Sequence, residues 1–143
     1  MKNKLFLTQT DTTIGFVSQD ASKIDKAKRR LPDKHYIRTV DSLRTLKKFT
    51  RVPEQHKNRV RRAKRVTFII NGNSYRVVKD EEHNLLLNRV GWFYSSSANL
   101  SGESYSQAYA EKETEVLVSF PRKSVGQSST IYRLGVKNLK SIR

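Results

Sequence analysis

The segment from Val66 to Val78 constrains the fold of this chain more than any other. Val66 to Ile70 is a run of strand-forming residues, Asn71-Gly72-Asn73 is a turn, and Tyr75 to Val78 is a second apolar run. An Asn-Gly turn between two such runs is typical of a β-hairpin, which requires antiparallel pairing. Helices and strands interleave elsewhere in the sequence, so the chain is predicted to be an α/β protein with a mixed sheet.

Short apolar runs predict further strands, at Leu5 to Thr8, Tyr36 to Val40, Trp92 to Tyr94, Val116 to Val118 and Thr130 to Tyr132. Ser22 followed by Asp25 predicts the start of a helix over Lys23 to Arg30. Four more helices are predicted, and the one that begins at Pro53 is strongly basic.

Length and composition limit the class of protein. A chain of 143 residues is enough for one compact domain, predicted over residues 1–143. Its 29 Lys and Arg against 13 Asp and Glu give a formal charge of +16, which attracts nucleic acids, nucleotides or anionic membranes without choosing among them. Cysteine is absent, which excludes disulfides and thiolate ligation of metals. No signal peptide or membrane span is recognisable, so a cytoplasmic protein without membrane attachment is expected.

Several common catalytic motifs are missing from the sequence. There is no Gly-x-x-x-x-Gly-Lys phosphate loop, no Gly-x-Gly-x-x-Gly, no His-Glu-x-x-His and no Gly-x-Ser-x-Gly elbow. His35, His56 and His83 lack the spacing of metal ligands, so no protein-held metal site is predicted.

Two segments carry groups that bind anions. Ser95 to Gly102 offers hydroxyls, an amide and backbone N–H groups directly after a predicted strand, which suits phosphate oxygens or an amino acid; a simple polar turn is the alternative. Lys28-Arg29-Arg30 with Lys34 places several cations at a helix end, where Lys28 and Arg30 are expected as exposed cations beside a triphosphate; a solvated basic face is the alternative.

Taken together, these segments resemble the YrdC-like family. Residues 9–16, 28–34 and 97–103 are similar to its Pro-Thr-Asp-Thr-Val-Tyr-Gly-Leu, Lys-Gly-Arg-Pro-x-Asp-Lys and Ser-Ala-Asn-x-Ser-Gly-Glu segments. Weaker similarities lie at Val66 to Ile70, Arg76-Val77 and Ser128 to Ile131. All of them occur in the order that the family has. Ile14 stands where the family has the Tyr that contacts threonine, and its closing Arg-x-Gly is reduced to Arg143.

The resemblance implies a single α/β domain in which a twisted mixed sheet with flanking helices surrounds a positively charged cavity. It implies an L-threonylcarbamoyladenylate synthase, a nucleotidyltransferase that makes threonylcarbamoyl-AMP and pyrophosphate from L-threonine, bicarbonate and ATP with Mg²⁺. The product would serve tRNA threonylcarbamoyladenosine modification, and other proteins of that modification are possible partners. A regulatory partner of another tRNA-modifying protein remains a further interpretation.

The resemblance also assigns roles to residues. Lys28 and Arg30 are expected to be catalytic. The expected nucleotide-binding residues are Lys28, Arg30, Arg76, Ser97, Asn99 and Ser129. Those expected to bind the amino-acid substrate are Thr10, Thr12 and Ser97.

A basic cluster favours an alternative function, a YrdC-like protein that binds tRNA or other RNA, double-stranded RNA included, without synthase activity. This basic cluster consists of Lys57, Arg59, Arg61, Arg62, Lys64 and Arg65. It has too many cations for one triphosphate.

Overall fold

The fold was established from a computed structural model that describes residues 2–30, 35–118, 128–135 and 138–143. Within these ranges the strands are β1 (Phe6–Gln9), β2 (Ile14–Ser18), β3 (Ile37–Val40), β4 (Val66–Ile70), β5 (Asn73–Val77), β6 (Trp92–Ser97), β7 (Val116–Leu117), β8 (Thr130–Leu134) and β9 (Leu139–Ser141). The helices are α1 (Ala21–Lys28), α2 (Leu43–Leu46), α3 (Lys57–Arg62), α4 (Glu81–Val90) and α5 (Gln107–Glu113).

These nine strands form one mixed sheet in the order β7-β1-β2-β6-β3-β5-β4-β8-β9. The predicted hairpin is β4 and β5, and its turn places Asn71 and Gly72 at φ angles of 51° and 81°, which suit Asn and Gly. β3 pairs in parallel with β5 and β4 in parallel with β8, whereas β6 is antiparallel to both β2 and β3. The predicted α/β fold with a mixed sheet and flanking helices is confirmed.

Helices cover both faces of the sheet. Because side chains alternate along a strand, Leu7 and Phe6 of β1 belong to different apolar clusters. The cluster around Leu7 includes Ile24 of α1 and Ala110 of α5, and α2 and α3 pack on a further cluster on that face. The cluster around Phe6 includes Leu87 of α4. Helix α4 therefore lies on the face opposite to the other helices.

The structure differs from the sequence prediction at several element boundaries. The N-cap of α1 is Asp20, whose Oδ1 accepts a hydrogen bond from the backbone N–H of Ser22 at 3.0 Å. The basic helix begins at Lys57, after a single 3-10 turn, rather than at Pro53. Strand β6 continues to Ser97, so the first three of the eight residues of the predicted polar loop are strand. Strands β2 and β9 were not predicted, and β9 has few apolar residues.

Among the described residues, no helix is long and apolar enough to cross a bilayer. The prediction of one domain over residues 1–143 stays a prediction. Lys34 and the residues from Leu31 to Asp33, which belong to one of the predicted binding segments, lie outside the described ranges.

Candidate functional site

A polar pocket of about 250 Å³ lies at the end of the sheet where β2, β3 and β8 begin and β6 ends. It is lined by Thr12, Thr13, Arg30, His35, Tyr36, Ile37, Arg76, Ser95, Ser96, Ser97, Ser128, Ser129 and Arg143. Three guanidinium groups and several hydroxyls thus converge, and none of the described residues that line the pocket is a carboxylate. Such a set of donors fits an anionic ligand.

Arg76 is the most deeply placed cation of the pocket. It lies on β5 and is only 3 % exposed. Its Nε lies 3.1 Å from Oδ1 of Asp11, and its Nη1 donates to Oγ1 of Thr67 at 3.4 Å. Nη2 makes no hydrogen bond within the described part of the chain.

Asp11 is the buried counter-ion of Arg76, and its side chain is 5 % exposed. Burial alone would raise the pKa of Asp11, but the Arg76 guanidinium, whose Nε lies 3.1 Å away, outweighs it and keeps this pKa below its ordinary value. Asp11 is therefore ionised at neutral pH and committed to Arg76, which leaves it unsuited to act as a general base.

On the opposite side of the pocket, hydrogen bonds connect its residues to Ser129, which directly precedes the strand β8. The Oγ of Ser129 and the Oγ1 of Thr67 are 2.7 Å apart. The guanidinium of Arg143 donates twice to the backbone carbonyl of Ser129, at 3.0 and 2.8 Å from Nε and Nη2. Thr67 also accepts from Arg76. One hydrogen-bonded chain therefore connects Arg76, Thr67, Ser129 and Arg143.

Arg30 forms the rim of the pocket at the end of α1. Its Nε donates to Oγ of Ser101 at 2.7 Å, and its guanidinium carbon lies 5.5 Å from the centre of the Tyr36 ring. The Tyr36 hydroxyl donates to Asp25. Arg30 is half-buried, so it is oriented by these contacts and still reaches the lining.

Lys28 was expected to be an exposed cation, and this expectation is wrong. The side chain is 0 % exposed and does not line the pocket. Its Nζ donates to the backbone carbonyls of Ser97 and Asn99 at 2.7 and 2.8 Å, and Oδ1 of Asn99 is 3.4 Å away. Burial, and to a smaller extent the charge of Arg30, lowers the pKa of Lys28 to about 8. Lys28 thus holds the segment after β6 in place.

Asn99 is also engaged within the protein. Its Oδ1 accepts from the hydroxyl of Ser97, and its Nδ2 donates to the carbonyls of Leu100 and Glu103 at 3.0 and 2.8 Å. Of the predicted pair in this segment, Ser97 belongs to the lining and Asn99 does not. Asn99 shapes the turn that follows β6.

The two threonines predicted to bind substrate are placed differently. Thr10 is buried, and its hydroxyl donates to the carbonyl of Thr13 and lies 3.3 Å from Oγ1 of Thr12. Thr12 belongs to the pocket lining together with Thr13. Thr10 therefore supports the loop that presents Thr12.

The basic cluster lies apart from the pocket lining. Most of its side chains are exposed, and Val60 anchors α3 to the core between them. Lys57 is paired with Glu54 at 2.6 Å, and Arg61 donates to Asn58 at 2.7 Å.

The pocket contains Arg30, Arg76, Ser97, Ser129 and Thr12 of the predicted site, and leaves out Lys28, Asn99 and Thr10. Its further members include Thr13, Tyr36, Ser95 and Arg143, which had no predicted role. Thr13 and Ser95 lie in segments that the sequence analysis singled out and Arg143 lies in the family's closing segment, whereas Tyr36 carried no such signal. The ligand-binding roles of all these residues stay predictions.

Comparisons with known proteins agree with this architecture. No family model matches the sequence. The uncharacterized protein MG259 of Mycoplasma genitalium is 35% identical over 97 residues, which are 68% of this chain and 21% of that protein. Its Mycoplasma pneumoniae homolog is 27% identical over 148 residues, covering 96% of this chain and 32% of that protein. The chain thus spans about a fifth to a third of the length of these relatives.

Among solved structures, P. abyssi Sua5 complexed with L-threonine superimposes with a TM-score of 0.82 at 20% identity, over 98% of this chain and 50% of that chain. E. coli YciO gives a TM-score of 0.77 at 15% identity, over 99% of this chain and 83% of that one. The molecule is therefore an α/β protein whose mixed sheet ends in an arginine-lined pocket. More particularly, it has the YrdC-like fold that the sequence resemblance predicted.

Proposed function

We propose that the chain is an L-threonylcarbamoyladenylate synthase, which binds the phosphates of ATP at the arginine-lined pocket and takes L-threonine as its amino-acid substrate. The observation that carries the proposal is the convergence of Arg30, Arg76 and Arg143 with a set of hydroxyls in one pocket. The likeness of the fold to a Sua5 complexed with L-threonine supports the choice of amino acid. A pocket of about 250 Å³ suits threonine or the phosphate part of a nucleotide rather than a whole nucleotide.

The proposed reaction has two steps. The amine of threonine and bicarbonate form a carbamate and water. A carbamate oxygen then attacks the α-phosphorus of ATP, and pyrophosphate leaves. Positioning and neutralisation of phosphate charge are the main requirements of such a transfer. Arg30, Arg76 and Arg143 would neutralise the phosphates, and Ser97 and Ser129 would donate hydrogen bonds to their oxygens.

Mg²⁺ would enter this site on the triphosphate of ATP. Within the described part of the chain, no group of three His, Asp or Glu side chains is placed to hold a metal ion. Oxygens are the ligands that Mg²⁺ prefers, and the phosphates of ATP would supply them. The cytoplasmic location, the use of the product for tRNA threonylcarbamoyladenosine and the association with other proteins of that modification belong to the same proposal.

Pyrophosphate release tests this function. The chain is expected to release pyrophosphate from ATP with bicarbonate and L-threonine, and much less with other amino acids in place of threonine. Arg30→Ala should lower the rate at least about 10-fold, because one cation beside the phosphates is removed. Lys26→Ala removes an exposed cation on α1, the helix that precedes Arg30; it is the control and should leave the rate unchanged. No release with any amino acid would contradict the proposal.

A second candidate function is RNA binding, and the exposed basic cluster favours it. Arg59, Arg62, Lys64 and Arg65 make no side-chain ion pair within the described residues, so their charges are available to phosphates. The proposed partners are tRNA or another RNA, double-stranded RNA among them. Binding of RNA without any pyrophosphate release would favour this function over the synthase.

A further inference from the structure

Helix α4 is connected to the pocket through the buried imidazole of His83. This side chain is 0 % exposed, and its Nδ1 accepts a hydrogen bond from the backbone N–H of Asp11 at 3.3 Å. The same Nδ1 lies 3.6 Å from Oδ1 of Asp11. The backbone N–H of His83 donates to Asp80 at 3.0 Å, so the first turn of α4 holds the ring in place.

The chemistry of the ring points to a specific task. Because Nδ1 accepts a hydrogen bond, the neutral ring carries its proton on Nε2. That Nε2 and Oδ2 of Asp11 are both buried without a hydrogen-bond partner in the described part of the chain. Burying unpartnered polar atoms costs free energy, and an apolar side chain in the same place would avoid the cost at Nε2. Packing alone therefore does not explain a histidine here.

We propose that His83 is a positioning residue for the arginine-lined pocket. Through Asp11 it fixes both the loop that presents Thr12 and Thr13 and the guanidinium of Arg76. This inference rests on the proposed function for the nature of the ligand, an anionic phosphate or carboxylate, and it names a residue on α4 that does not itself line the pocket.

The contacts define how the effect is transmitted. His83 holds the Asp11 main chain, and the Asp11 carboxylate holds Nε of Arg76 at 3.1 Å. Nη2 of Arg76 is left for the ligand, and its direction depends on that ion pair. Loss of the ring frees the Asp11 amide, and small displacements of a positioned group weaken function by about 10-fold or more.

Amide hydrogen exchange tests the inference without any ligand. His83→Leu fills the space but cannot accept the hydrogen bond, and it should speed exchange in the loop around Asp11 about 10-fold. His83→Gln can still accept and should restore most of the protection. The matched control is His56→Leu, because His56 is also buried, has no ring partner among the described residues, and packs on the opposite face with α3. Unchanged loop exchange in His83→Leu would overturn the inference.

Calorimetric titration with ATP tests whether the effect of His83 reaches Arg76 and the ligand. His83→Leu should weaken ATP binding about 10-fold, whereas His56→Leu should not change it. In an Asp11→Asn background, which keeps the backbone N–H but removes the carboxylate, His83→Leu should have a smaller further effect, since its action through the Arg76 ion pair is already lost. Equal effects in both backgrounds would overturn the inference. If the wild-type chain binds no ATP, the proposed function is wrong, and the exchange experiment still decides the role of His83.

Discussion

At the scale of single residues, Lys28 shows how a predicted ligand-binding cation acts within the structure. Its ammonium group lies between the carbonyls of Ser97 and Asn99. Lys28→Met keeps the length of the side chain but leaves both carbonyls without this donor, which should lower the free energy of unfolding by about 2 kcal/mol. Urea denaturation measures it. Lys26→Met, exposed on the same helix, should stay within about 0.5 kcal/mol of the wild type.

The difference in free energy of unfolding between wild type and Lys28→Met should also depend on pH, which tests the role of Lys28 a second time. The pKa of Lys28 is lowered to about 8 in the folded protein. Above about pH 8 the folded state has released a proton that the unfolded state keeps, so this group makes stability rise with pH towards its ordinary pKa near 10.5. This contribution of Lys28 to stability is lost as the pH falls through 8, where the folded state takes up the proton. The free energy of unfolding of the wild type should therefore rise relative to that of Lys28→Met between pH 7 and 9.5. A difference between the two that stays constant over this range would contradict the prediction.

The sequence predicted which segments meet, but not what each side chain does there. The meeting of Arg30, Ser97 and Ser129 in one pocket could be predicted because their segments resemble those of a family whose fold this chain has. Lys28 was misjudged because a lysine at a basic helix end is normally exposed, and its acceptors come from a segment about 70 residues away. The partnership of Asp11 with His83 has no local sequence signal.

At the scale of elements, the hairpin was predicted well because its turn residues and both strands agree locally. Strand β6 was predicted too short, because Ser95 and Ser96 have low strand propensity. Their strand conformation comes from pairing on both sides, with Val17 and Phe16 of β2 and, for Ser95, with Ile37 of β3. A serine-rich strand in the middle of the sheet is what brings hydroxyls to the pocket.

The helix α3 carries a prediction of its own, since its cations are assigned to RNA attraction. Replacing Arg59, Arg62 and Lys64 together by Glu should reduce the log–log salt slope of tRNA binding by up to about three, one for each RNA phosphate that a cation no longer neutralises. Filter binding across a salt series measures the slope.

The control for α3 is an equal change of charge elsewhere. Lys26, Arg89 and Lys112 are exposed on three other helices, and replacing them by Glu lowers the net charge by the same amount. This variant should change the slope by less than about one. Pyrophosphate release should survive in both variants. An α3 variant that keeps its tRNA slope and loses pyrophosphate release would show that the basic cluster serves the synthase reaction instead.

At the scale of the whole molecule, the sheet order explains how distant segments form one site. β6 lies between β2 and β3, so the end of β6 meets the loop before β2 and the segment that leads into β3. β5 and β4 follow, and β8 then brings Ser129 beside Thr67. The pocket is thus assembled from both halves of the chain, and three arginines from three distant segments, Arg30, Arg76 and Arg143, meet in it.

The excess of positive charge in the chain should make stability depend on ionic strength. The net charge is +16, and the described residues contain three Lys or Arg ion pairs, so repulsion among cations is largely uncompensated within the fold. Screening lengths fall from about 30 Å at 0.01 M salt to about 3 Å at 1 M, which weakens this repulsion. The melting temperature is expected to rise by roughly 4 °C over this range, equivalent to about 1 kcal/mol, as measured by calorimetry in NaCl.

The two triple variants separate screening from specific anion binding. Each replaces three cations by three carboxylates, which changes the charge by two units per position and lowers it from +16 to +10. If general repulsion is the cause, both variants should show the same smaller rise in melting temperature, even though only the α3 variant loses RNA attraction. If the rise disappears in the α3 variant alone, chloride binding at the basic cluster is the cause. Stability and RNA binding would then depend on the same side chains.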